Sequence, residues 1–397
     1  MTRTSDFPTV VLKPKEEGRL QAGHLWAFSN EIAEAPKGLA PGSLADLVHS
    51  RSGFLGRGFY HPHSLIAFRI LTDQRDQEIN SSFFEKRFAD AQSWRDKLYP
   101  GTQAYRLVFG ESDRLPGLIV DRYGDHLTVQ AIAAGIERCR DLIVSALKAA
   151  LGPKTIIWRT DSSLRELEGL SQEPPKVLHG EVSGRVQIDT ENGKFWVDLL
   201  GGQKTGFYFD QRDNRLALAP FCKGKRVLDA FCYSGGFGIA AARAGAKAVV
   251  FVDSAHAALE LAQENAELNA VADRTTCVEG DVLPLLAHES PGGPFDVIAI
   301  DPPAYARSKK HLPAALKAYE KLNALAIAAL PKGGILASSS CSHHVSRETF
   351  VEMLRRSAKK AQRSVRLIEL RSQAKDHPVL LAMPETEYLK FAILQIV

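Results

Sequence analysis

Four aspartates punctuate the second half of the chain in the same way. Asp229 closes Arg226-Val-Leu-Asp229, Asp253 closes Val249-Val-Phe-Val-Asp253, Asp281 follows Thr276-Cys-Val-Glu-Gly, and Asp301 follows Val297-Ile-Ala-Ile. Each acid ends a short apolar run of the kind that forms a buried parallel strand, and ligands of such sheets bind at the carboxyl ends of the strands. A carboxylate at the second tip, Asp253, can accept both hydroxyls of a ribose. Asp281 at the third lies within reach of an adenine edge. Any one of these acids could be a helix cap or a turn former, but four in order at successive strand ends form a pattern that capping does not explain.

After the first tip comes Asp229-Ala-Phe231-Cys-Tyr-Ser234-Gly235-Gly236-Phe-Gly238. Its glycines let the backbone approach a ligand and open a helix whose free N–H groups favour an anion. Gly236-Phe-Gly238-Ile-Ala-Ala241 also fits the degenerate G-x-G-x-x-A dinucleotide pattern, a weak signal alone. In dehydrogenases the glycines begin at the strand end, whereas here Ala230 to Ser234 intervene. An acid leading such a loop suits the charged amino-acid part of S-adenosylmethionine (SAM) better.

The chemistry-bearing tips are the next two. In Asp301-Pro302-Pro303-Ala-Tyr305 the prolines hold the chain extended. They present a carboxyl that can bond the polar edge of a base and a ring that can stack on one. The following strand ends in Ser340-Cys341-Ser-His343-His344, with Ser346 as the expected N-cap of a helix. A cysteine at such a tip can have a lowered pKa. Sulfur added to C6 of a cytosine makes C5 able to take a methyl group, which is nucleophilic catalysis. Cys139, Cys222 and Cys277 read as small buried hydrophobes, and Cys232 reads as structural inside the loop. No fourth ligand joins Cys341, His343 and His344, so no metal is expected. His61-Pro-His63 reads as a turn.

These tips need a doubly wound sheet to position them. From about residue 200, apolar strands alternate with helices: strands at Arg226, Val249, Thr276, Val297 and Gly334, and helices through Ala244, from Ala255 to Leu268 and from Leu316 to Leu330. Residues 1–75 carry short strands (Val10–Leu12, Ser43–Val48, Phe54–Tyr60, Leu65–Leu71) and no helix beyond about two turns. Residues 76–195 read as a small α+β domain. Ser82 with Glu85 forms a capping box, and Phe84, Phe88, Ala91, Trp94 and Leu98 form one helix face. A second helix runs over Ile136, Cys139, Ile143 and Leu147, and Asn192-Gly193 marks a hairpin. Residues 196–397 complete the chain as the third domain.

Over essentially the whole length the sequence resembles the bacterial 23S ribosomal-RNA large-subunit methyltransferase I family, SAM-dependent cytosine-C5 methyltransferases. The matching motifs are Phe109-Gly-Glu-Ser-Asp-Arg-Leu-Pro-Gly-Leu, Lys204-Thr-Gly-Phe-Tyr-Phe-Asp-Gln-Arg-Asp-Asn-Arg215, Asp229 to Gly238, Asp301-Pro-Pro-Ala-Tyr and Ser340-Cys-Ser-His-His. The resemblance implies an α/β chain: a small β-rich PUA-like RNA-binding module, a small α+β domain, then a C-terminal Rossmann-like class I SAM methyltransferase domain. It implies that Cys341 is the nucleophile, that 23S ribosomal RNA is the partner, and that the segment Phe207 to Arg215 lies near SAM, with Phe209, Asp210 and Gln211 binding it. Many RNA cytosine-C5 enzymes carry a second cysteine after the first proline of the Asp-Pro element. Here that position is Pro303, so another base must remove the C5 proton. Asp301 is then the group that binds the cytosine edge.

Composition sets the frame around these motifs. The 397 residues are 45% hydrophobic and 24% charged, an ordinary globular balance that excludes a disordered chain. The net charge of +4 permits a nucleic-acid partner without demanding one. Nine basic and three acidic residues between Arg347 and Lys375 give that segment +6. Five scattered cysteines without a CxxC fit a reducing cytoplasm. The start, Met1 to Pro8, has no apolar signal core, and no apolar run approaches the ~18 residues of a membrane helix. A soluble cytoplasmic enzyme is expected, and the sequence leaves a homodimer open. Rival functions are an amino-group methyltransferase acting on adenine or guanine, which needs no thiol, and a catalytically inactive RNA-binding assembly factor. A dehydrogenase explains the glycines but neither Asp301–Tyr305 nor Cys341.

Overall fold

The computed structural model describes residues 7–51, 53–182, 184–202, 204–288, 293–306 and 308–397. The first six residues, part of the start that carries no apolar core, lie outside them. Contacts group the chain into two compact units: 1–186 with 197–207 and 376–386, and 187–196 with 208–375 and 387–397.

The first unit holds two sheets. One has six strands in the order Trp26–Phe28, Ile66–Thr72, Gly53–Tyr60, Ser43–His49, Thr9–Leu12, Ile32–Glu34. Trp26–Phe28 and Ile32–Glu34 are too short to show an alternation, and the sequence reading misses both. The other has five strands, Lys176–His179, Thr155–Arg159, His126–Ala131, Leu118–Tyr123 and Ala104–Phe109. Phe59 and Leu71 from the first sheet share a buried cluster with Phe84, Phe88, Tyr105, Val129 and Trp158. The His61 ring is a turn element: Nδ1 accepts from the N–H groups of His63 and Ser64, so Nε2 carries the hydrogen and donates to the Glu168 carbonyl.

Two helices here differ from their expected form. The helix Ser81–Leu98 is capped by Asn80, whose side chain accepts from Phe83 N–H, not by Ser82. Trp94 is 48% exposed, and Arg95 takes the buried position instead. Arg95 holds Asp113 at 2.5 and 2.7 Å and donates to the carbonyls of Arg106 and Asp376. A buried guanidinium with every edge bonded can occupy a core site, and a period count over apolar residues cannot see it. The second helix breaks at Cys139 into Ala134–Arg138 and Arg140–Leu151.

The second unit is built on seven strands: β1 Arg226–Ala230, β2 Ala248–Asp253, β3 Thr275–Glu279, β4 Val297–Ile300, β5 Ile335–Ser340, β6 Val365–Arg371 and β7 Lys390–Ile396. Their order is β3-β2-β1-β4-β5-β7-β6. β1 to β5 run parallel, and β7 is antiparallel to both β5 and β6. Helices Arg212–Leu218 (α1), Gly236–Arg243 (α2), His256–Leu268 (α3), Val282–His288 (α4), Leu312–Ala329 (α5) and Arg347–Lys360 (α6) join them. Both faces of β4 are covered, so Val297–Ile300 reads as an unbroken apolar run, and β1 is buried from Val227 to Ala230 although it carries Asp229. The hairpin expected at Asn192-Gly193 forms between Val186–Thr190 and Gly193–Val197. Neither β6 nor β7 is in the sequence reading.

Candidate active site

The loop after β1 is held under backbone strain. Phe231 (φ 61°), Tyr233 (φ 47°) and Gly235 (φ 80°) all lie in the left-handed region. Two of the three are not glycine, and such outliers cluster at ligand sites. Gly236 has no room for a side chain: an added Cβ would lie 2.6 Å from Arg215 Nε. The loop turns into α2, and Gly238 N–H donates to Asp229 Oδ2 at 2.7 Å. Asp229 therefore takes part of the capping role weighed for it. Its carboxyl is fully desolvated and pushed up to about 7; Gly238 N–H and Arg215 oppose that rise.

Asp253 lies beside the same loop. Its Oδ2 accepts from Tyr233 N–H and its Oδ1 from Ala255 N–H, both at 3.0 Å. The group is half-buried, so each oxygen keeps lone pairs for a ligand. Asp281 is exposed and accepts from Leu283 N–H at the start of α4. Ser234 is buried, and its carbonyl accepts from Asn265. Strained backbone, a close-approach glycine and carboxylates at successive tips fit a SAM-sized ligand with a cationic end and a ribose.

Asp301 is half-buried, and desolvation raises its carboxyl above the usual range. Ser339 Oγ donates to its Oδ1 at 2.5 Å, and Arg215 and Gln211 also favour the ionised form. Pro302 is buried and Pro303 exposed. The Tyr305 ring leans on Tyr319 at 4.6 Å between centroids, and Tyr319 Oη meets Ser342 Oγ at 2.9 Å.

The segment before α1 adds three buried residues. Phe209 is 1% exposed beneath the Arg212 guanidinium. Asp210 accepts from Tyr388 Oη at 2.6 Å, and Gln211 accepts from Asn214. Arg215 is buried, its guanidinium lowered to about 10 by desolvation against the pull of Asp210, Asp301 and Asp229.

Cys341 follows β5 and is half-buried. The next residue, Ser342, is held on both sides: its Oγ meets Tyr319 Oη at 2.9 Å and its carbonyl accepts from Lys390 Nζ at 2.7 Å. Cys139, Cys222 and Cys232 are buried, their thiols pushed up by burial. Cys277, expected buried, is half-exposed because its strand β3 is the sheet edge.

The structure thus brings Asp229, Phe231 to Gly236 and Asp253 together at one loop. It brings Asp210, Gln211 and Asp301 together around Arg215, and leaves Asp281 and Tyr305 outside both groups. Tyr208 and Arg215 lie in the Phe207–Arg215 segment that the resemblance puts near SAM; sequence reasoning missed Ser339, Tyr388 and Lys390. Nothing local marks Lys390.

Comparison with known proteins follows the same outline. Residues 10–73 match the family model of a PUA-like domain, and residues 171–378 that of an S-adenosylmethionine-dependent methyltransferase. The Ribosomal RNA large subunit methyltransferase I of Klebsiella pneumoniae (strain 342) is 40% identical over 389 residues, 97% of each chain. That of Aeromonas hydrophila is 41% identical over 386 residues, 96% of this chain and 97% of its own. A proposed SAM-dependent methyltransferase from Streptococcus mutans shares the fold, with a TM-score of 0.83 at 22% identity over 98% of this chain and 99% of that one. A second solved structure, a proposed methyltransferase complexed with SAH, gives 0.81 at 23% identity, covering 98% of this chain and 99% of that one.

Proposed function

The chain belongs to the ribosomal RNA large subunit methyltransferase I family of SAM-dependent methyltransferases, and from that premise we propose that it methylates C5 of a cytosine in 23S ribosomal RNA through a covalent Cys341 intermediate. The observation that carries this reading is the Ser339 Oγ–Asp301 Oδ1 hydrogen bond at 2.5 Å, which ties Asp301 to the neighbouring strand two residues before Cys341, so an acid and a thiol stand at adjacent strand tips.

SAM supplies an electrophilic methyl group. Phe209 to Gln211, Asp229, Phe231, Ser234 to Gly236, Asp253 and Asp281 would hold it, with Asp229 suited to its ammonium and Asp253 to its ribose hydroxyls. Asp301 accepts from the cytosine amino group, and Pro302, Pro303 and Tyr305 wall the base. The Cys341 thiolate adds to C6, and the C5–C6 π pair moves to C5 and takes the methyl group. The C5 proton then leaves to a base, the double bond re-forms and the thiolate departs. The net change replaces one C–H hydrogen by methyl and releases one proton.

The division of the chain at residues 75 and 195, the cytoplasmic setting and the RNA partner belong to the same proposal. The test uses RNA carrying 5-fluorocytosine, whose C5 substituent cannot leave as a proton. The wild-type protein is expected to form a covalent adduct. Cys341→Ala is expected to fold, bind SAM and neither crosslink nor methylate. Robust methylation by Cys341→Ala would overturn the thiol route and favour amino-group transfer, to which Asp301-Pro-Pro-Ala-Tyr is also suited.

A further inference from the structure

Lys390 is 4% exposed, and a buried ammonium needs a reason, because removing its hydration is costly unless charge and hydrogen bonds replace it. It opens β7, where its Cα pairs with that of Ser340, the residue before Cys341. Its Nζ donates to the Ser342 carbonyl at 2.7 Å and to the Tyr388 carbonyl at 2.6 Å. The ammonium is therefore fixed alongside the short span Ser340–Ser342 at whose centre Cys341 lies. An ammonium has three N–H donors, and two carbonyls take two of them. Neutral carbonyls orient the charge but do not neutralise it.

We propose that Lys390 is the positioning residue for Cys341: its ammonium, anchored on the carbonyls of Ser342 and Tyr388, stabilises the thiolate that attacks the base. This rests on the reading of Cys341 as the nucleophile. An ammonium beside a thiol favours the thiolate, and the thiolate in turn raises the lysine. Burial lowers Lys390 to about 8 against the pull of Cys341 and Glu387. A lysine at about 8 is still mostly protonated at pH 7, so the group beside Cys341 is an ammonium and the thiol proton leaves to solvent as the thiolate forms. Other titratable and charged groups surround the pair: Tyr208, Tyr319, Glu387 with Arg347 at 3.8 Å from it, and the imidazoles of His343 and His344. Tyr208 and Tyr319 are pushed up by burial and stay neutral. Glu387 is exposed. His343, exposed, stacks on Tyr388 at 5.3 Å, and His344 is the next residue.

The test reads the thiol directly. Alkylation of Cys341 by iodoacetamide is followed by peptide mass spectrometry across pH, with Cys341→Ser as the background, because Cys277 is also half-exposed. The wild-type midpoint is expected below the ordinary thiol value, about 8.5. Lys390→Met is expected to slow alkylation at pH 7 at least about tenfold, one unit of midpoint, and Lys390→Arg to restore most of it. SAM affinity, measured by calorimetry, is expected to stay near wild type in both variants and reports that they fold. An unchanged midpoint in a folded Lys390→Met protein overturns the proposal. If Lys390→Met does not fold, a wild-type midpoint at or above the ordinary value overturns it instead. The fluorocytosine adduct separates the two readings. Adduct formation with an unchanged midpoint removes Lys390 alone. A shifted midpoint with no adduct removes the nucleophile and leaves the pair.

Discussion

Ser339 Oγ donates to Asp301 Oδ1 at 2.5 Å, tying the residue after β4 to the last turn of β5 before Cys341. The two chemistry-bearing tips are thus fastened to each other two residues from the thiol. The bond also favours the ionised form of a carboxyl that desolvation raises. Removing it in Ser339→Ala raises Asp301 further. With Asp301 acting as an acceptor, the acid limb of the kcat/KM profile is expected to move to higher pH. A pH–rate series on both proteins checks it; an unmoved limb takes Asp301 out of base binding.

Asp253 is expected to govern cofactor affinity. Charge-assisted hydrogen bonds to two ribose hydroxyls are worth about 1.5–3 kcal/mol each, so Asp253→Ala should weaken SAM at least about tenfold. Asp253 also fixes Tyr233 N–H and Ala255 N–H, and part of the loss will come from a loosened loop. Calorimetry showing unchanged affinity would remove Asp253 from the site.

Asp229 links cofactor binding and stability to pH. Burial holds its folded pKa up at about 7, whereas an unfolded aspartate titrates near about 3.9. The stability this group contributes is complete below about pH 4 and is lost as pH rises through about 7. Asp229→Asn should remove that decline in a series of thermal melts without cofactor. Binding of a cationic ligand needs the ionised form. Wild-type SAM affinity should therefore fall about tenfold per unit below pH 7, with no such slope in Asp229→Asn.

Arg95 is expected to be a stability residue of the first unit. It is fully buried, and its loss strands Asp113 and two carbonyls. Arg95→Ala should cost about 3–5 kcal/mol, the range for breaking a buried pair, read as a lower urea midpoint. Trp94→Ala, one residue away and exposed, should change little.

The basic face of α6 gives a salt test. Arg355, Arg356, Lys359 and Lys360 are exposed, as the helix spacing predicts. Glu352 holds both arginines at 2.7 and 2.9 Å, and Lys360 faces Glu320 at 3.7 Å. Exposed pairs are worth little, so phosphates can displace these acids. Reversing all four charges should flatten the salt dependence of RNA binding by about 0.7 in slope per lost single-strand contact. An unchanged slope in filter binding would mean that the face does not touch RNA. Removing residues 1–75 is a poorer probe, because Phe59 and Leu71 belong to a core shared with Phe84 and Tyr105.

What the sequence determined by itself was local. The run Val297–Ile300 could only be a buried strand, so Asp301 had to stand at its tip. Asn192-Gly193 set its hairpin, and Ser346 caps α6 by accepting from Thr349 N–H. These are contests between neighbouring residues, settled by period, cap and turn chemistry. Cys341 was legible for the same reason: a strand, a polar run and a helix start frame it within the span of one motif.

The tertiary structure decided what no window of sequence contains. Lys390 reads as a charge ahead of an apolar run, and only the entry of β7, antiparallel beside β5, brings it against Cys341. Tyr388 reaches Asp210 through that same crossing. Arg215 closes a motif that only the resemblance puts near SAM, and it is packing against Gly236 that buries it among three aspartates. Buried charges are set by the partners that make burial tolerable. Here those partners are distant in the chain, so the cations that bias Asp301 and Cys341 exist as site residues only once the sheet has closed.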